Sequence, residues 1–437
     1  MIEITELLTL FHKYPSVTTD TRKVQPGDIF FALRGEKFDG NSYAAAALEK
    51  GAVKAVIDNP DYAVPGDDRY LLTDHSLKTL QDLARAWRRS FDIPVLAITG
   101  TNGKTTSKEL VYAAISKGKK TWATSGNFNN HIGVPLTLLG MPRDTEIAIV
   151  EMGANQPGDI KELVEIAEPT HGMITNIGYA HLERFLSING VQKTKGEMFD
   201  YIRQYGGTIF LNETDERVKT VAAGIDAKVT FGTESSDYFY KLREHSLHQM
   251  TVEVWKKNNP EPWLIHAKIT GLHNCMNILA AVAVADTLGI SKTNICDGLE
   301  AYIPSNNRSQ IVERETYKIW LDAYNANPSS MRAAISNLFS IQQDHVVLIL
   351  GDMFELGENE IPLHEELGQF VNQFSPALTI GIGPLMKHTI AKVNGPKQWF
   401  PGVDEAKEAV VTAVKTAKLV LLKGSRGMAL ERLAGDI

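Results

Sequence analysis

Cysteine is scarce in this chain of 437 residues: Cys275 and Cys296 stand alone, without metal-type spacing. Two such residues do not make a disulfide framework, and a reducing compartment is the expected setting. No apolar run approaches the ~20 residues that span a bilayer. The opening Met1-Ile-Glu-Ile-Thr-Glu lacks the basic-then-apolar order of an export leader. The expectation is a cytoplasmic protein with no membrane insertion. Surplus positive charge is missing as well: 45 Lys and Arg against 52 Asp and Glu give a net −7. That argues against a nucleic-acid-coating protein and for a small-molecule substrate. Repeats and low-complexity tracts are absent too. The remaining composition, 43% hydrophobic and 22% charged, is that of a globular protein, in a chain too long for one core.

One stretch organises the rest. Ile93-Pro-Val-Leu-Ala-Ile98 has strand composition, and Leu110, Val111, Ala114 and Ile115 recur at helical spacing. Between them lies Thr99-Gly-Thr-Asn-Gly-Lys-Thr-Thr106. Gly100 and Gly103 let the backbone curl its N–H groups inward around Thr101 and Asn102, and the helix start adds partial positive charge, which suits phosphate. Lys104 would reach the outer phosphates and Thr105 would hold a magnesium ion, with Thr106 beside them. The loop is shorter than the general Walker pattern, since Ile98 stands where its first Gly would be. The bland alternative is a Gly-rich helix cap; Gly-Lys-Thr after an apolar strand favours a nucleoside triphosphate site.

Taken in order, residues 1–90 form a first unit with strands near 29–32 and 53–57 and helices near 41–50 and 75–89. Asp20, Thr21 and Arg22 read as a turn with a surface ion pair. A central unit, 91–305, follows. Asn127, Asn129 and Asn130 crowd the loop after the first helix; they can satisfy turn backbone or contact phosphate and a substrate carbonyl. Glu151 ends the buried run 146–150, where an α/β sheet presents its ligand side, and would share the magnesium with Thr105. His181 follows the strand 172–177 to the same edge; a lone histidine is otherwise structural. Lys195 lies in a helical segment where a solvated lysine is ordinary. Asn274 and Asn277 share one helix face, one for capping and one for an adenine edge. The pattern restarts around Arg308 as a third unit, 306–437, whose strand–helix alternation implies a parallel, doubly wound sheet. Its strand ends carry Asp322, Asn325, Asn327, Lys423, Ser425 and Arg426.

These stretches together resemble the Mur ligases of peptidoglycan synthesis. The Gly-Thr-Asn-Gly-Lys-Thr loop is common to that superfamily, including folylpolyglutamate synthetases. Narrower are Asn127-Phe-Asn-Asn130, Glu151-Met-Gly-Ala-Asn155, Thr175 to Glu183, Asp322-Ala-Tyr-Asn-Ala-Asn-Pro328 and Lys423-Gly-Ser-Arg426. The resemblance implies an α/β protein of three domains: a small uridine-nucleotide-binding α/β domain, a central P-loop ATPase-type domain with a mainly parallel sheet, and a C-terminal Rossmann-like domain. It implies ATP and Mg2+ as cofactors, and an ADP-forming ligation of D-alanyl-D-alanine to UDP-N-acetylmuramoyl-tripeptide through an acyl phosphate. Asp20 to Arg22 and the Phe31 to Asn41 segment then match the uridine-nucleotide site. Lys195, in Lys-Thr-Lys-Gly-Glu, matches the lysine that such ligases carry as a carbamate, a metal ligand with Glu151 and His181. Asn277, Arg308 and Asp322 match nucleotide contacts. Lys104, Lys195, His181 and Asn130 are the catalytic candidates, and a monomer with a hinge near residues 305–310 is the expected form. Asn41 departs from the family's usual His, and Leu186 from a common Gly. Another amino-acid ligase of the family, adding the third residue, and a folylpolyglutamate synthetase are the alternatives.

Overall fold

The computed structural model describes residues 1–179, 181–304 and 310–436; Arg308 and positions 305–309 of the expected hinge lie outside the described residues. Three main sheets organise the chain. The first is all parallel, in the order β1 (Val17–Thr18), β2 (Ile29–Phe31), β3 (Lys54–Ile57), β4 (Tyr70–Leu72).

The central sheet has nine strands: β5 (Val95–Thr99), β6 (Thr121–Ala123), β7 (Ile147–Glu151), β8 (His171–Ile174), β9 (Thr208–Asn212), β10 (Lys228–Phe231), β11 (Tyr238–His245), β12 (Met250–Lys256) and β13 (Trp263–Ala267). Their order is β13-β12-β11-β10-β9-β8-β5-β7-β6, parallel from β6 to β11, with β12 and β13 added antiparallel. Every residue of β5 and of β7 is buried, as a strand covered by helices on both faces must be.

The third sheet runs β14-β15-β19-β16-β17-β18, from β14 (Gln310–Glu313), β15 (Lys318–Asp322), β16 (Val346–Gly351), β17 (Leu378–Ile382), β18 (Lys397–Phe400) and β19 (Leu419–Lys423). Only β14 is antiparallel among them.

The cores do not follow the sheets one for one. A single apolar cluster runs from Leu7 and Phe11 through Leu83, Trp87 and Phe91 to Leu163, Met198 and Ile225, so the first sheet and one face of the central sheet share it. The other central face packs on the Ala-rich helix His273–Thr287. The third sheet has its own clusters on both faces. Among the described residues no helix is long and apolar enough to cross a membrane.

Candidate active site

The phosphate loop is shaped by two glycines. Gly100 has φ +151, and a Cβ there would stand 1.9 Å from Thr175 Oγ1; Gly103, at φ +78, is the left-handed residue before the helix Lys104–Ser116. The end of β8 pins the loop from the side: Thr101 N and Asn102 N donate to the backbone and side-chain oxygens of Asn176 at 2.9 and 3.0 Å. Asn176 Nδ2 donates back to Asn102 O at 2.9 Å. Lys104 Nζ folds over the loop onto Gly100 O at 2.8 Å, which stations an ammonium beside the helix N-terminus.

This loop forms one wall of a cavity of about 610 Å³ between the central and third units. Glu151, 1% exposed, ends β7 in its wall. Its Oε1 accepts from Thr105 Oγ1 at 3.1 Å and from Asn129 Nδ2 at 2.8 Å, while Oε2 is buried with no hydrogen-bond partner among the described residues. An uncompensated buried carboxylate oxygen costs several kcal/mol. A cation at that oxygen removes the cost, so Glu151 and the Thr105 hydroxyl fit a magnesium ion bound on the phosphate side.

Lys195, 2% exposed on the helix Ile188–Tyr205, lines the same cavity. Burial, with the Lys104 ammonium nearby, holds its amine well below the usual lysine range. An amine kept neutral is the form that adds carbon dioxide, so a carbamate is chemically accessible here. His181 reaches the cavity from the segment after β8, and its Nδ1 lies 2.5 Å from Glu355 Oε2 of the third unit. Among the described residues no three or more His, Cys, Asp and Glu side chains converge as a metal cluster. Thr105, Glu151, His181 and Lys195 thus share a cavity rather than a single tight knot.

The third unit supplies the facing wall. Asp322 and Lys423, at the ends of the neighbouring strands β15 and β19, form an ion pair, and Lys423 Nζ also donates to Asn325 O at 3.3 Å. Asn327 caps the helix Pro328–Ile341 and donates through Nδ2 to Asn102 Oδ1 at 2.7 Å, while Asn102 Nδ2 donates to Ser329 Oγ at 2.9 Å. The third unit is therefore docked on the phosphate loop itself. From the central unit, Asn277 lines the cavity and accepts from Ser107 Oγ at 3.1 Å. Asn274 stands behind it, accepting from Asn277 Nδ2 at 2.8 Å and donating to Thr270 O at 2.6 Å.

Other residues singled out from the sequence lie off this cavity. Asn130 Oδ1 accepts from Ile132 N and Gly133 N at 3.2 and 2.8 Å, serving the turn into the helix Gly133–Leu139, and Asn127 is exposed nearby. Ser425 accepts from Phe354 N at 3.0 Å, and Arg426 lies over the ring of Tyr324 at 5.1 Å. Asp20 lines a second cavity, about 340 Å³, between the first and central units, opposite Trp122 and Phe128. The Arg22 guanidinium, hydrogen-bonded to Asp20, brings the Asp20 carboxyl down to about 2. Thr21 adjoins it, with its carbonyl accepting from Lys50 Nζ at 3.0 Å. Asn41 is buried and ties Asp39 to Asp58 through its amide, which accounts for an amide at this position. Asn176, Trp320, Tyr324 and Glu355 were not singled out for roles. Trp320 reads as strand interior, and Glu355 becomes visible only when the third unit docks.

Three family models match the chain: the Mur ligase middle domain over residues 98–285, the Mur ligase glutamate ligase domain over 307–426 and the Mur ligase catalytic domain over 13–88. The UDP-N-acetylmuramoyl-tripeptide--D-alanyl-D-alanine ligase of Bacillus subtilis (strain 168) is 34% identical over 429 residues, covering 96% of this chain and 92% of that protein. A crystal structure of MurF from Acinetobacter baumannii superposes with TM-score 0.88 at 29% identity, covering 96% of this chain and 92% of that one. The MurF ligase from Thermotoga maritima in complex with ADP superposes with TM-score 0.85 at 25% identity, over 100% and 98% of the two chains.

Proposed function

The chain belongs to the Mur ligase family, and from that premise we propose that it is an ATP-dependent, ADP-forming ligase joining D-alanyl-D-alanine to UDP-N-acetylmuramoyl-tripeptide. The observation that carries the reading is the half-buried phosphate loop with buried Glu151, facing Lys195, His181 and the third unit across one cavity. Two anions, the tripeptide carboxylate and the ATP γ-phosphate, must meet there. At ~4 Å their repulsion is ~4 kcal/mol at an effective dielectric near 20. Lys104 and the loop N–H groups offset it on the phosphate side.

Magnesium, held by Thr105 and Glu151 and by His181 with a carboxylated Lys195, supplies neutralisation of phosphate charge. The carboxylate oxygen attacks the γ-phosphorus and ADP leaves. The dipeptide amine then attacks the acyl carbon, and phosphate departs with the acyl C–O bond. Asn277 offers an amide edge to adenine, and Asp322 and Lys423 close over the nucleotide from the third unit. Asp20 to Arg22, beside the smaller cavity, serve the uridine nucleotide. The protein acts as a monomer in the cytoplasm, in three domains bounded near residues 90 and 305.

Phosphate release from ATP, measured with purified protein, is expected only when UDP-N-acetylmuramoyl-tripeptide and D-alanyl-D-alanine are both present. Release with a free amino acid in place of the dipeptide would favour a third-residue ligase. Release without either acceptor would favour a nucleotide-gated protein of another class.

A further inference from the structure

The seam between the central and third units holds a contact that the scheme above leaves unused. His181 Nδ1 lies 2.5 Å from Glu355 Oε2. A carboxylate only accepts, so Nδ1 carries a proton, and in the neutral ring the lone pair then sits on Nε2. Glu355 follows the end of β16 in the third unit, whereas His181 lines the cavity from the central unit. Both take left-handed backbone, with φ +64 and +49, which residues bearing a Cβ rarely adopt. Their segments also touch through backbone: Glu183 N donates to Glu355 O at 3.4 Å, and a Cβ added at Gly357 would meet Glu183 Cα at 3.2 Å. Two strained turns meeting face to face are the kind of conformation that persists only where the surroundings over-determine it.

Resting on the reading of this cavity as the reaction centre, we propose that Glu355 is a positioning residue: docking of the third unit fixes His181 as its Nδ1–H tautomer, so that the Nε2 lone pair is available only in the closed protein. With the third unit swung away, the carboxylate leaves and the imidazole returns to the Nε2–H form that predominates in water. A ligating or accepting histidine needs its other nitrogen anchored. Drawing the anchor from a different unit ties site assembly to closure, so phosphoryl transfer waits for the docked state.

The test is the nitrogen spectrum of 15N-histidine-labelled protein at about pH 8, where imidazole is neutral. His181 is assigned with a His181→Gln variant, and closure is followed by small-angle scattering. With a non-hydrolysable ATP analogue the wild type should show the Nδ1–H pattern, and without nucleotide, when scattering reports an open molecule, the Nε2–H pattern. Glu355→Ala should show the Nε2–H pattern throughout and lose about 10- to 100-fold in kcat, with KM for ATP nearly unchanged. Glu355→Gln, whose amide oxygen still accepts, should recover the Nδ1–H pattern and most of kcat. The proposal is overturned if the wild-type tautomer is the same open and closed, a comparison that needs no variant. It is equally overturned if Glu355→Ala keeps Nδ1–H, or turns over within about twofold of wild type. A wild type that shows the tautomer change but does not ligate sinks the functional reading instead.

Discussion

The central unit shares a continuous apolar core with one neighbour and almost none with the other. Toward the first unit the contact has a continuous apolar core with polar contacts around it: Trp87 packs edge-on against Phe11 and Phe91 at 4.9 and 5.3 Å inside the shared cluster, and the Arg143 guanidinium lies 4.0 Å over the Trp87 ring. Buried Arg88 donates to the carbonyls of Ala167, Glu168 and Phe91, and Arg85 and Arg89 converge on the Glu168 carboxylate. Toward the third unit the contacts are mostly polar: Asn102 with Asn327 and Ser329, His181 with Glu355, Leu272 N with Asn337 Oδ1 at 3.1 Å, and Lys318 with His248. Leu247 is the one central-unit side chain packed on the third-unit clusters among the described residues. Polar contacts exchange with water at a net cost of about 1 kcal/mol each, whereas separating an apolar seam exposes its whole area. The first seam is a weld and the second a clasp, so closure over the nucleotide, on the proposed reading, would be a movement of the third unit against a fixed pair.

That contrast can be broken most sharply at Trp87. Trp87→Ala should destabilise by ~3–5 kcal/mol. In denaturant titrations the first and central units should still unfold together, at lower midpoint; a separate early transition for the first unit would show that the weld is not shared. A smaller effect is expected at Glu168. Burial alone would raise its pKa, but hydrogen bonds from Arg89 and Arg85, and their charge, bring it below the ordinary glutamate range. A carboxylate so lowered adds stability above its unfolded pKa, and that stability is lost as pH falls through the folded value. Glu168→Gln should therefore cost ~1–3 kcal/mol near neutrality. The gap to wild type should be flat at neutral pH and close below about pH 4; a gap that widens on acidification would contradict the pairing. The smallest effect belongs to the clasp. Asn102→Ala should leave the melting midpoint nearly unchanged and shift the open–closed balance by ~1 kcal/mol, read as a larger radius of gyration at subsaturating nucleotide. An unchanged scattering profile would mean that the clasp is held elsewhere.

The sequence made the strand–loop–helix around Lys104 plain because glycine, lysine and hydroxyl spacing is chemistry written locally. The third unit's strand–helix alternation was legible for the same reason, since its central strands, such as Val346–Gly351, are buried on every residue. Edge strands were harder: Thr121–Ala123 and Lys397–Phe400 are short and partly exposed, and carry little apolar signal. At the site, Glu151 and His181 were traceable as strand-end residues. Lys195 was singled out only through a family motif, because nothing in helical spacing reveals that its whole side chain is enclosed. The division of labour within each amide pair also needed coordinates. Asn129 faces the cavity and Asn130 serves a turn; Asn277 lines the wall and Asn274 braces it. Glu355 lies more than 170 positions from His181, and no local pattern announces such a partner.

The smaller cavity sits inside the weld, with the segment Pro15–Asp20 on one side and Trp122 and Phe128 on the other. With Val17, Trp122 and Leu136 packed on the shared cluster, its walls are expected to keep their spacing whatever the nucleotide does. On the proposed reading, an inhibitor shaped to that recess would meet one receptor conformation through the whole catalytic cycle, whereas a compound aimed at the larger cavity would have to contend with a wall that departs when the clasp opens.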